Sequence, residues 1–127
     1  MAEAVLDASA VLALLHGEPG GETVRSVLPH SVISTVNLSE VIAELVENGI
    51  DGAMAVRLTE AQPFRPMDHT LNLARIAGTL RAETRSAGLS LGDRACLALA
   101  LDLGLPVFTA DRAWRELPLD IEVRSIR

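Results

Sequence analysis

Apolar residues fall along this chain in short runs separated by longer stretches with a helical period, and the two alternate almost from end to end. Ala4-Val5-Leu6 is a compact apolar run and reads as a strand. A helix over 8–16 follows and is stopped by Gly17 and Pro19. A second helix is expected over 21–28, ending ahead of Pro29, and the β-branched segment 31–34 reads as a strand. Leu38, Val41, Ile42 and Leu45 share one face of a helix over 37–48 that stops at Gly49. A short helix over 52–60 comes next, then an edge strand over 64–67, where Pro66 has no N–H to give a central ladder. Asp68 is expected to cap a long helix reaching Ala87, with Leu73, Ala77, Leu80 and Thr84 in line and Gly88 closing it. Ser90 heads a helix to Leu103 that ends at Gly104. A buried-type strand over 106–109, a turn or short helix near Trp114 and a last strand over 121–126 complete the chain. Strands alternating with helices imply βαβ units. The expected fold is α/β: a single domain over 1–127 with a mainly parallel central sheet flanked by helices on both faces.

Composition narrows the chemistry. At 127 residues with 49% apolar content the chain suits one packed domain and not a disordered one. No run reaches the roughly 18 apolar residues of a membrane span, and the first residues lack the basic stretch of a secretory leader, so a cytoplasmic domain is expected. Cys96 is the only cysteine, which excludes an internal disulfide and any multi-cysteine zinc site. All eleven basic residues are arginine, so no lysine is available as a Walker residue, Schiff base or general base. His16, His30 and His69 lack metal-ligand spacing. Charge is uneven: residues 1–56 hold one arginine and eight acids (net −7), and residues 57–127 hold ten arginines and nine acids (net +1). An acidic half is a poor match to phosphate, whereas acids gathered in one pocket attract divalent cations.

Four acids stand out by position. Asp7 ends the first strand and begins a helix, a place that suits an N-cap and also the ligand-binding carboxyl edge of a parallel sheet. Asp111 repeats the arrangement at a later strand end, where it also suits a cap for the 112–116 turn. If the two strands are neighbours, about 4.8 Å apart, both carboxylates can approach one ion. Asp93 completes a capping box with Ser90. At about 100° per residue, Cys96, Leu97 and Ala100 fall within about 60° of it and Asp102 lies opposite, so Asp93 points along the apolar stripe. A carboxylate there is costly unless hydrogen-bonded, paired or bound to metal. Glu40 shares a polar face with Glu44 and Glu47, and Asn37 with Glu40 reads as a capping pair. Glu40's distinction is its place in the first turn of a helix that follows a strand. Cys96 reads as core.

These segments resemble PIN-domain ribonucleases, most of all the VapC-type toxins of toxin–antitoxin pairs. The likeness is carried by VLDASAVLALL at 5–15, NLSE at 37–40 and LSLGDRACLALALDLGLPVFTAD at 89–111. The resemblance implies that Asp7, Glu40, Asp93 and Asp111 form a catalytic, metal-binding quartet for Mg2+ or Mn2+, supported by Ser9, Asn37 and Thr109. It implies hydrolysis of RNA phosphodiester bonds, a homodimer and a cognate VapB-like antitoxin. Val11, Leu12 and Leu15 are the expected apolar patch of the dimer. Among Arg65, Arg75, Arg81, Arg85, Arg94, Arg112 and Arg115, the candidates for substrate phosphates are Arg85, Arg94 and Arg112. Arg94 departs from the family, which commonly has a small residue there. A competing reading is a Mg2+-dependent phosphoacceptor domain of receiver type, which also places acids at strand ends. That reading calls for a lysine and for adjacent acids after the first strand, and this chain has neither.

Overall fold

The computed structural model describes residues 1–127. Strands β1 (Ala4–Leu6), β2 (Ser31–Ser34), β3 (Arg65–Met67), β4 (Val107–Thr109) and β5 (Val123–Ser125) pair in parallel in the order β3-β2-β1-β4-β5. Helices α1 (Ala8–Leu15), α2 (Gly21–Val27), α3 (Thr35–Glu47), α4 (Gly52–Glu60), α5 (Leu71–Thr84) and α6 (Leu91–Leu103) cover the sheet. Shorter 3-10 turns occupy Leu28–His30, Arg85–Ala87 and Arg112–Glu116.

The period of two along the strands feeds two cores. Ala4, Leu6, Ile33 and Phe108 turn to one side, against Val11 and Leu14 of α1, Val24 of α2, Val41 and Leu45 of α3, and Ala55 of α4. Val5, Val32 and Val107 turn to the other, against Leu73, Ala77 and Leu80 of α5, the 96–100 segment of α6, and Trp114. Full burial of a side chain such as Val or Leu contributes roughly 1.5–3 kcal/mol. A three-residue strand such as β1, buried on both faces, is held by that burial and by its two parallel neighbours. The expected α/β class, parallel sheet and two-sided helical cover are all present. No helix is long and apolar enough to cross a membrane.

Several boundaries differ from expectation for local reasons. α3 starts at Thr35 because the Ser34 hydroxyl accepts from Val36 N, so Asn37 lies inside the helix and is no capping partner of Glu40, which falls in the second turn. Thr70, and not Asp68, caps α5: its Oγ1 accepts from Leu73 N. The last strand is trimmed to Val123–Ser125. Val11 is wholly buried in the α1 core, so the proposed α1 surface patch loses its first member, and Leu12 and Leu15 are partly buried against the same core. Large apolar side chains exposed on this side are Val46, Met54 and Val56, on α3 and α4.

Candidate functional site

Parallel pairing of β1 with β4 sets Leu6 against Phe108, and Asp7 N donates to the Phe108 carbonyl at 3.0 Å. Asp7 therefore stands beside Thr109, and Asp111 lies two residues further along the neighbouring chain. Asp7 occupies the N-cap position of α1 with extended backbone, yet its side chain makes no capping bond. Its Oδ2 instead accepts from the Ser9 hydroxyl at 2.6 Å and the Thr109 hydroxyl at 2.9 Å. Those hydroxyls are fixed in turn: Ser9 Oγ accepts from Ala110 N and Thr109 Oγ1 from Asp111 N, each at 3.0 Å. Asp7 is 6% exposed. Burial raises its pKa from 3.8 to about 6. The two hydroxyl bonds pull it back down, and the negative charges of Asp93 and Glu40 add to the rise.

Asp93 sits in the first turn of α6, half-buried, in line with the buried Cys96, Leu97 and Ala100. The capping box is complete: Asp93 N donates to Ser90 Oγ at 3.1 Å, and Ser90 N donates to Asp93 Oδ2 at 3.0 Å. Glu40, on the exposed side of α3, has its Oε1 held by Asn37 Nδ2 at 2.8 Å. Asn37 is fully buried, and its amide also donates to the Gly92 carbonyl on α6 at 3.0 Å. Its Oδ1 is buried with no donor. Asp111 is exposed and caps the following turn, its Oδ1 accepting from Ala113 N at 3.0 Å.

The topology thus gathers Glu40 and Asp93 closely enough for their charges to be felt at Asp7, whereas Asp111 is tied to the site only by its backbone N–H, which donates to Thr109 Oγ1, and its carboxylate is not among the charges acting on Asp7. No three acidic, imidazole or thiol side chains converge into a finished coordination shell. Each carboxylate has one oxygen held by a local donor, and none forms an ion pair with an arginine. Burial pushes the Cys96 thiol up, and the charges of Asp7, Asp93 and Glu40 push it further, so it stays protonated as an inert core group.

The three arginine candidates part company. Arg94 Nη1 donates to the Ala77 carbonyl on α5 at 3.1 Å, and its Nε is buried without a partner. Arg112 Nε donates to the Arg127 carbonyl, and Arg85 is exposed in the turn after α5. One residue at the site was invisible to periodicity. Gly92 reads in sequence only as part of a capping box, yet the Glu40 carboxylate lies directly over it. The available signal was a glycine in the first turn of a helix, where other residues cost less.

The sequence model of the PIN domain family matches residues 4–119. The chain belongs to the PIN domain family. No curated protein sequence matches it. Among solved structures, this PIN domain is similar to a toxin–antitoxin complex from Klebsiella pneumoniae (TM-score 0.77, 20% identity, 98% of each chain covered). It is equally similar to DNA-bound VapBC from Salmonella typhimurium (TM-score 0.77, 20% identity, 100% of each chain). The sarcin–ricin-loop-cleaving VapC toxin of Mycobacterium tuberculosis also matches (TM-score 0.75, 16% identity, 90% of this chain and 94% of that one). At these identities the likeness establishes a shared fold. Membership of the PIN family displaces the receiver-type reading.

Proposed function

We propose that this PIN domain is a metal-dependent endoribonuclease of the VapC toxin type, hydrolysing RNA phosphodiester bonds and neutralised by a VapB-like antitoxin. The reading is carried by the uncompensated acid pocket. Asp7 is buried beside the charges of Glu40 and Asp93, and none of the chain's arginines pairs with any of the four acids. A buried carboxylate beside like charges is stable only when protonated or when a cation neutralises it.

The donor set fits a hard divalent cation, Mg2+ or Mn2+, better than zinc. It consists of carboxylate oxygens, with no imidazole or thiolate among them. Asp7, Glu40, Asp93 and Asp111 would hold it, each with an oxygen not used by a local donor. Such an ion would supply Lewis-acid activation of the attacking water and would offset charge on the phosphate oxygens. Ser9 and Thr109 orient Asp7 by gripping Oδ2, so that Oδ1 remains free for a ligand. Asn37 orients Glu40, the capping box orients Asp93, and Ala113 N orients Asp111. The pKa of Asp7 near 6 makes occupation of the site compete with its protonation below that pH.

Neighbouring structures that are toxin–antitoxin complexes, and one toxin that cleaves the sarcin–ricin loop, support the antitoxin partner and the RNA substrate. Neutralising the pocket also lessens the conflict between a net charge of −6 and a polyanionic substrate. Arg85 and Arg112 are proposed to contact RNA phosphates, and Arg94 to act mainly by tying α6 to α5. A homodimer is proposed, with the exposed Val46, Met54 and Val56 as its apolar contribution. Light scattering that shows only monomer at micromolar concentration removes that part of the reading. The central test is Asp7→Asn: circular dichroism unchanged and RNA cleavage lost, with EDTA silencing the wild type and Mn2+ or Mg2+ restoring it. Cleavage retained by this variant, free of contaminating nuclease, overturns the assignment.

A further inference from the structure

We propose that Gly92 is a positioning residue of the acid pocket: the bare backbone of α6 at this point is the bed on which the Glu40 carboxylate lies, and Asn37 fastens the two together. The proposal rests on the reading of the pocket as a metal site. Glycine at 92 is not required by its own backbone, since its φ is not positive, and it is not favoured by helix propensity. Its neighbours supply the reason. A Cβ built at Gly92 would meet three atoms first, and all three belong to the Glu40 carboxylate: Oε2, Cδ and Oε1, each nearer than real Cβ contacts allow.

The other helical glycines show how specific this is. Gly78, within α5, has nothing within 4 Å of an added Cβ. Gly21, at the start of α2, would press its Cβ against the Ala13 carbonyl and the Leu14 backbone, so a side chain there strains the packing of α1 on α2. At Gly92 the obstruction is only the far end of a flexible side chain. An added methyl group can therefore evict the carboxylate and leave the framework in place.

Asn37 makes the arrangement directional. The two hydrogens of its buried amide go to Glu40 Oε1 and to the Gly92 carbonyl, so one planar group sets the carboxylate and the first turn of α6 in a common frame. Asp93 is the next residue of that turn. The spacing between the Glu40 and Asp93 carboxylates is therefore set where α3 touches α6, and it is set closely because no side chain intervenes.

The test compares the wild-type chain, Gly92→Ala, Glu40→Ala, the double variant and Gly78→Ala, reading Mn2+ affinity by titration calorimetry and melting temperature in EDTA. Gly92→Ala should melt at or above wild type in EDTA, and its Mn2+ Kd should rise about 10- to 100-fold, the usual scale for groups that orient a ligand. Adding Gly92→Ala to Glu40→Ala should change Kd by less than about threefold, because the group the methyl displaces is already gone. Gly78→Ala should bind Mn2+ as wild type does. Undiminished Mn2+ affinity in Gly92→Ala overturns the proposal. So does an equal loss in the Glu40→Ala background, or a lower melting temperature in EDTA, which would mean that the methyl disturbs more than a carboxylate. A wild type that binds no Mn2+ removes the metal reading itself, and this proposal with it.

Discussion

Asp7 and Asp111 have nearly the same address in the sequence, one following β1 and the other following β4, and those strands are neighbours. Their fates differ. Asp7 is buried, declines the capping bond its position offers, and gives Oδ2 to two hydroxyls. Asp111 is exposed and does cap its turn. The contrast shows that a strand-end aspartate can be withdrawn from its helix terminus or spent on it according to the donors that surround it. The hydroxyls of Ser9 and Thr109 decide the matter here, because they offer a charged oxygen better donors than the helix terminus does.

The sharpest way to break this comparison is kinetic. Asp7→Asn should lower RNA cleavage by about 10^3-fold or more, on the scale of losing a principal electrostatic group. Asp111→Asn should cost about 10- to 100-fold, and a single-turnover assay separates the two. Equal losses would mean that burial does not rank these acids.

Stability in EDTA should run the opposite way. The folded pKa of Asp7 lies near 6 against 3.8 for the free side chain, so between those values the folded protein holds more protons than the unfolded chain. Folding stability then falls as pH rises from about 4 to about 6, and above pH 6 the full penalty of about 3 kcal/mol is present. Asp7→Asn should recover about 2 kcal/mol at pH 8 and little at pH 4, read by urea unfolding. Asp111→Ala should instead lose about 1 kcal/mol through its missing cap.

Thr109 joins the two addresses, since its hydroxyl donates to Asp7 and accepts from Asp111 N. Thr109→Val should cost about 1–3 kcal/mol and raise the Asp7 pKa above 6, which an NMR titration of a carboxyl-labelled sample can follow. An unmoved Asp7 would show that the hydroxyl is a bystander. The smallest effect is expected at the rim: Arg112→Gln should raise KM for RNA about threefold with kcat unchanged, the yield of one exposed charge contact.

Much of this was legible from residue order. The paired periods of two and 3.6 revealed the parallel sheet and its two-sided cover, and the apolar stripe around Asp93 marked it as a partly enclosed acid. What stayed hidden depends on side-chain competition over a few ångströms. Ser34 and Thr70 won their caps by hydroxyl geometry, so α3 began earlier than its periodicity suggested and Asp68 lost its role. Glu40 is exposed, as the helical wheel suggested, but a wheel sees only its own helix and could not show that its carboxylate lies over Gly92, 52 residues away along the chain. Val11 looked like surface for the same reason: the stripe of α1 is broad enough that its outer edge meets other helices.

The Asn37 amide also joins elements that otherwise serve different cores, α3 on one face of the sheet and α6 on the other. Any sliding of the two helical layers past the strand ends would register first as a change in the gap between acid groups. An ion seated there would act as a rivet, stiffening the whole sandwich from its rim.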